Sequence, residues 1–252
     1  MVGRPGDALT SCMQAVELYR RVGDMRNASV HMMNVGVLCT SLGAYRDAER
    51  YLTEALAESR RLGVTRQGIW IELSLGRIWS QVGRFDEGVA AMRRSLDALT
   101  RPGYERLWAV ASAELGFELA VGGHFKEALE IVEPVFHSEA ADNSLILSLV
   151  AGARAHLGLG DVPSAMKHAR SAYELQEKTG DREHAVGVYV TLALASNAAG
   201  EKAEAMAAIE KARDVILAAA DMLTDPEKRR TFIESVPEHV RALNLARAWI
   251  DA

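Results

Sequence analysis

The stretch Leu42-Gly43-Ala44-Tyr45-Arg46-Asp47-Ala48-Glu49-Arg50-Tyr51-Leu52-Thr53-Glu54-Ala55-Leu56 decides the fold. Glycine enters the left-handed backbone region without Cβ strain, so Gly43 is expected to end one helix. Tyr45 then packs into the turn, and Ala48 lets a second helix lie close to the first. Ala48 and Ala55 stand seven residues apart, which is two helical turns, so they share one face of that second helix.

The same pattern returns on both sides. Gly83-Arg84-Phe85-Asp86-Glu87-Gly88 and Gly123-His124-Phe125-Lys126-Glu127-Ala128 follow, with 40 residues from Gly43 to Gly83 and 40 more to Gly123. Weaker copies stand at Gly160-Asp161-Val162-Pro163-Ser164-Ala165, 37 residues on, and at Gly200-Glu201-Lys202-Ala203-Glu204-Ala205, another 40 on. One more opens the chain at Gly3-Arg4-Pro5-Gly6-Asp7-Ala8. Seven residues after each small residue comes another small or apolar one: Ala15, Ala55, Ser95, Val135, Ala172 and Ala212. A further glycine precedes three of the turn glycines by seven: Gly36, Gly76 and Gly116. Mid-helix glycine costs about 1 kcal/mol against alanine, so its recurrence at one phase predicts close helix crossings.

This repeat predicts an all-α chain of helical hairpins. The first helix covers about 5–22 and is the second helix of a repeat. Pairs follow at about 25–42 with 45–61, 65–82 with 85–99, 103–122 with 125–137, 143–158 with 162–178, and 182–199 with 202–223. Residues 1–223 form the array and 224–252 the C-terminal capping helices. Asp225-Pro226-Glu227 and Val236-Pro237-Glu238 each place proline at a first helical position. No run alternates like a strand.

The stretch from Leu42 to Leu56 resembles the second helix of the tetratricopeptide repeat, in a variant with a period near 40 rather than the usual 34. The resemblance implies a right-handed α-solenoid whose first helices line a concave groove. The segment Thr231–Trp249 is similar to the C-terminal end of large multidomain bacterial serine/threonine kinases and signal-transduction ATPases that carry such repeats. With an array that starts halfway through a repeat, that likeness suggests a fragment of something larger.

Composition fits a folded protein: 252 residues, 49% apolar, 25% charged and 6% aromatic. The first residues have no apolar core of a secretory signal, and no run approaches the length of a membrane span. Two cysteines, Cys12 and Cys39, sit at apolar helical positions and are read as free thiols. A cytoplasmic protein with no membrane partner is expected. The net charge of −5 argues against a nucleic-acid partner. The short basic runs Arg60-Arg61, Arg93-Arg94 and Lys228-Arg229-Arg230 are read as solvated faces.

The function expected is a protein–protein interaction module or scaffold, regulatory within bacterial signalling. Its partner is a protein or peptide segment, other domains of a parent polypeptide included. The candidate groove residues are Met33, Val37, Trp70, Leu73, Arg77, Gln81, Phe117, Arg154 and Asn197. Around them the repeat register places Val30, Val110, Ala113, Leu147, Val150, Val190 and Leu194. An apolar groove with two arginines suits an amphipathic helix or an extended segment with acidic residues. Some tetratricopeptide proteins grip a peptide carboxylate with lysine and asparagine; Met33, Asn34 and Val37 occupy that region here, so that clamp is not expected. The alternatives are a small-molecule or peptide sensor, and a scaffold that self-assembles through the open N-terminal helix face.

No catalytic, metal or cofactor site is expected, and the chain is read as a non-enzyme. There is no phosphate-binding glycine loop, and no two histidines stand in an HExxH pair. His156 takes a repeat position held elsewhere by Cys39 and Trp79, which predicts a packed core histidine. Glu127 with Glu130, and Glu201 with Glu204, lie one helical turn apart and are read as exposed acids near cations.

Overall fold

A computed structural model describes residues 5–100 and 102–250; Gly3 and Arg4 of the opening repeat copy lie outside the described residues. Among the described residues there are helices and no strand. The helices are α1 (Pro5–Arg21), α2 (Met25–Ser41), α3 (Tyr45–Arg61), α4 (Thr65–Gln81), α5 (Phe85–Ala98), α6 (Glu105–Val121), α7 (Phe125–Phe136), α8 (Asp142–Gly158), α9 (Val162–Thr179), α10 (Ala185–Ala198), α11 (Lys202–Asp221), α12 (Pro226–Glu234) and α13 (Pro237–Trp249). Most ends fall within two residues of the sequence reading. The clearest departure is α10, which starts three residues later. There the Asp181 carboxylate accepts from the Glu183 amide and contacts the His184 ring, both at 2.8 Å, which holds 181–184 in a turn.

Gly43 has φ of 72°, the left-handed cap expected of it. The same geometry recurs at Gly23, Gly63, Gly83, Gly103, Gly123, Gly160, Gly180 and Gly200, so glycine ends second helices as well as first ones. From α1 to α11, the one join without it among the described residues is α7 to α8. Helix α7 has 12 residues, where α2, α3, α4, α6 and α8 have 17, and it carries Pro134 in its last turn. The shortened helix accounts for the single 37-residue spacing.

The chain forms two compact units: Met1–Ser95 with Ala218–Pro237, and Leu96–Leu217 with Glu238–Ala252. In the first, α2 packs on α1, α3 and α4, and α3 on α4. In the second, α8 packs on α6, α7, α9 and α10. Each is therefore an all-α series of hairpins of the solenoid class, in which a first helix has neighbours on several sides. That position explains the sequences. Helix α3 buries one stripe, Ala48, Leu52, Ala55 and Ser59, and faces charges outward. Helix α8 is apolar nearly all round and buries ten residues from Ser144 to Ala155.

The glycines inside the helices mark close crossings. A Cβ on Gly36 would collide with Leu52, and one on Gly116 with Val132. On Gly76 it would stand 2.6 Å from Met92 Cγ and 2.8 Å from the Gly88 carbonyl oxygen. Small polar residues tie the same interfaces. Ser29 Oγ donates to the Ala55 carbonyl at 3.2 Å, and Ser95 Oγ to that of Ile69 at 3.3 Å. Leu52, Ile71, Leu75 and Ile78 are fully buried in the first unit. Each contributes about 1.5–3 kcal/mol by leaving water, as an upper estimate.

The tail is engaged with both units. Asp225 caps α12 through the amides of Glu227 (2.9 Å) and Lys228 (3.2 Å). Thr231 Oγ1 donates to the Leu42 carbonyl at 2.8 Å, and Phe232 packs against the first unit's core. Helix α13 belongs to the second unit and buries His239, Ala242 and Ala246.

Candidate functional site

The face lined by first helices is the candidate site. In the first unit α2 brings Met33 and Val37, both half-buried, and α4 brings Trp70, Arg77 and Gln81, also half-buried. Helices α2 and α4 touch. Leu73 lies deeper: it is 3% exposed and belongs to the core, because α4 packs on α2 and α3 at once. Val30 is half-buried.

In the second unit Phe117 on α6 is half-buried and Asn197 on α10 is exposed. Ala113, Leu147, Val150 and Val190 are buried between neighbouring helices, so this part of the expected groove is packing. Arg154 is buried too. It is 5% exposed and already has its partners inside the chain. Its Nη1 and Nη2 donate to Glu238 Oε1 (2.8 Å) and Oε2 (2.5 Å) of α13. Its Nε donates to Thr191 Oγ1 on α10 at 2.8 Å. Its guanidinium carbon lies 4.9 Å from the centre of the Phe117 ring. The result is a forked carboxylate pair with the cation resting on an aromatic face. Burial would raise the Glu238 carboxyl, but Arg154 overcomes this and holds it below its ordinary value.

Sequence reasoning missed Thr191 and Glu238. Phe117, Arg154 and Thr191 follow one another at 37 residues, so Thr191 lies near the repeat stripe that gave the other two. The register chose Val190 and Leu194 instead. Nothing in the repeat points to Glu238, which lies outside it.

His156 is not a core residue. Its side chain is 19% exposed, because the α8 end meets the cap of α9, where its Nδ1 lies 3.3 Å from Asp161. Its ring also lies 5.2 Å from His168. Glu201 and Glu204 sit beside Arg170, and Glu204 accepts from Ser196 Oγ at 2.7 Å. Of the basic runs, Arg61 faces Glu58, Arg94 faces Glu72 and Arg230 faces Glu227. No group of three potential metal ligands occurs among the described residues. No described helix is long and apolar enough to cross a membrane.

An open cleft of about 700 Å³ lies where the end of α5, the start of α6 and the α7–α8 join meet, lined by Leu99, Pro102, Glu105, Trp108, Ser138 and Glu139 among others. Met13 and Leu18 on α1, and Val22 in the turn after it, are exposed at 41%, 56% and 66%.

No described protein family matches the chain by sequence. Solved structures match by shape. The apo quorum sensor NprR from B. thuringiensis shares 14% identity over 96% of this chain and 66% of its own, with a TM-score of 0.63. The fold is that of tetratricopeptide-like repeats. NprR in complex with its cognate peptide NprX gives 0.69 at 14% identity, over 96% of this chain and 68% of its own. BtubC from P. vanneervenii gives 0.57 at 18% identity, over 89% and 95%. The chain thus spans just under two thirds of apo NprR.

Proposed function

We propose that this chain is a binding module that takes a protein or peptide segment on the face lined by first helices, and that it is not an enzyme. The observation that carries the reading is the α2–α4 face. Its half-buried Met33, Val37 and Trp70 are apolar and aromatic, whereas the second helix α3 presents charges. Tryptophan is enriched in binding hot spots, and methionine in interfaces. NprR, with the same fold, has been solved with a peptide, which supports the choice of ligand class. The sequence likeness of the tail supports a regulatory role within bacterial signalling as part of a larger polypeptide, and two free cysteines suit a reducing, cytoplasmic setting. The negative net charge supports a protein partner over nucleic acid.

The test is a random-peptide selection run in parallel on the wild type and on Trp70→Ala. Peptides enriched on the wild type should bind Trp70→Ala at least tenfold more weakly, with the thermal midpoint little changed. Equal binding to both, or no enrichment on the wild type, overturns the reading.

A second reading has its own observation: the exposed Met13 and Leu18 on α1, with Val22 just after it, suit self-association. Light scattering over a concentration series decides it, and a strictly monomeric wild type excludes it.

A further inference from the structure

The geometry points to Arg154 as the centre of a built carboxylate-reading site, with α13 as its resident, displaceable occupant. The partner it fits is a helical segment that presents an acidic residue and competes with Glu238. This rests on the proposed binding function and names the partner's chemistry.

The site is preorganised. Three successive first helices, α6, α8 and α10, supply Phe117, Arg154 and Thr191. Thr191 takes the Nε proton and Phe117 backs the guanidinium, so the Nη1–Nη2 fork is left to face one carboxylate. The fork geometry matches a carboxylate in two parallel bonds, which neither lysine nor a neutral donor reproduces.

The occupant has few fully buried side chains, and Glu238 is its link to the fork. Its buried residues are His239 and two alanines, Ala242 and Ala246, while Val240, Leu243, Leu245 and Trp249 stay half-buried. Helix α12, which leads into it, buries no residue. Elements with little buried apolar surface open at low cost, independently of the global fold. A docked tail that is anchored at one carboxylate is suited to exchange with a competing acid.

The experiment has two arms, both on the full chain. Hydrogen exchange compares the wild type with Glu238→Gln. Amides of α13 should exchange at least tenfold faster in the variant, while α8 and α10 keep their protection. Unchanged α13 protection, or simultaneous loss in α8 and α10, overturns the proposal, since α13 would then be ordinary core structure. If Glu238→Gln fails to fold, Glu238→Asp carries the test, with about threefold faster exchange confined to α13 expected and global loss overturning it. In the second arm a fluorescein-labelled synthetic peptide of residues 237–249 is titrated by anisotropy. It should bind Glu238→Gln at least tenfold more tightly than the wild type, and lose tenfold when its own glutamate is replaced by glutamine. Equal affinity for both chains, or indifference to the peptide's glutamate, overturns it. Success in both arms beside a failed random-peptide selection would overturn binding through Trp70 and place the binding function at this site instead.

Discussion

Gly43 and Thr231 meet across the first unit: the Thr231 carbonyl oxygen stands 2.5 Å from where a Cβ on Gly43 would be. The Thr231 hydroxyl also bonds the carbonyl of the preceding Leu42 at 2.8 Å. A single turn glycine therefore serves both the hairpin and the tail. Gly83 has the same left-handed backbone, φ 89°, with open space around it. Gly83→Ala should cost about 1–2 kcal/mol from backbone strain alone. Gly43→Ala adds a collision with backbone and should cost about 3 kcal/mol or more. Urea unfolding of both variants checks the order; equal losses would contradict the tail contact.

Helix glycines should divide by sign. A Cβ on Gly88 would meet the Gly76 carbonyl oxygen and sit 2.7 Å from the Ser80 amide nitrogen, backbone atoms that cannot rotate away. Gly187 on α10 has nothing within 4 Å of its missing Cβ. Gly187→Ala should stabilise by roughly 0.5–1 kcal/mol through helix propensity. Gly88→Ala should destabilise by about 2 kcal/mol, because overpacking outweighs the same gain. Thermal or urea melts of the two variants should move in opposite directions.

His168 gives an acid-side loss of stability. Burial holds its imidazole below the ordinary histidine value of 6.5, and the neighbouring His156 and Lys167 add to this against Asp161. The unfolded chain therefore takes up this proton first as pH falls. Stability is lost from about pH 6.5 down to the folded value, and the loss stops below it. The slope from this one group cannot exceed about 1.4 kcal/mol per pH unit. His168→Gln, neutral throughout, should flatten the stability profile between pH 7 and 5. An unaltered profile would show that the histidine titrates as it does in water.

The two thiols should differ in reactivity. Cys39 is 4% exposed, and burial pushes its thiol up to about 11, with Asp47 adding to the effect. Cys12 is half-buried on α1. Since the thiolate is the reactive form, a thiol titration at pH 8 should find at most one reactive group in the native protein and two after denaturation. Two fast thiols in the folded chain would place Cys39 at the surface.

Much of the fold could be read directly. Gly43, Gly83 and Gly123 marked hairpin turns because only glycine takes a left-handed cap cheaply. Gly36, Gly76 and Gly116 marked crossings because a Cβ there has nowhere to go. Less of the site was readable. Leu73 and Trp70 look alike to a register count, yet one is core and the other half-open. The difference depends on how far α4 is rotated between its neighbours, and a one-dimensional period does not carry that angle. His156 was misplaced for a related reason: its position in the repeat is interior, but the cap of α9 brings Asp161 and solvent to it.

The sequence alone determined that this protein is a serial stack of helical hairpins, since periodic small residues and capping glycines act between near neighbours and leave a local record. Only the tertiary structure decided what Arg154 is paired with. Arg154 and Glu238 stand 84 residues apart, and a pair formed by chain return leaves no spacing to read. Whether a face is open or already filled depends on where the tail comes to rest, and that is set by packing over the whole unit.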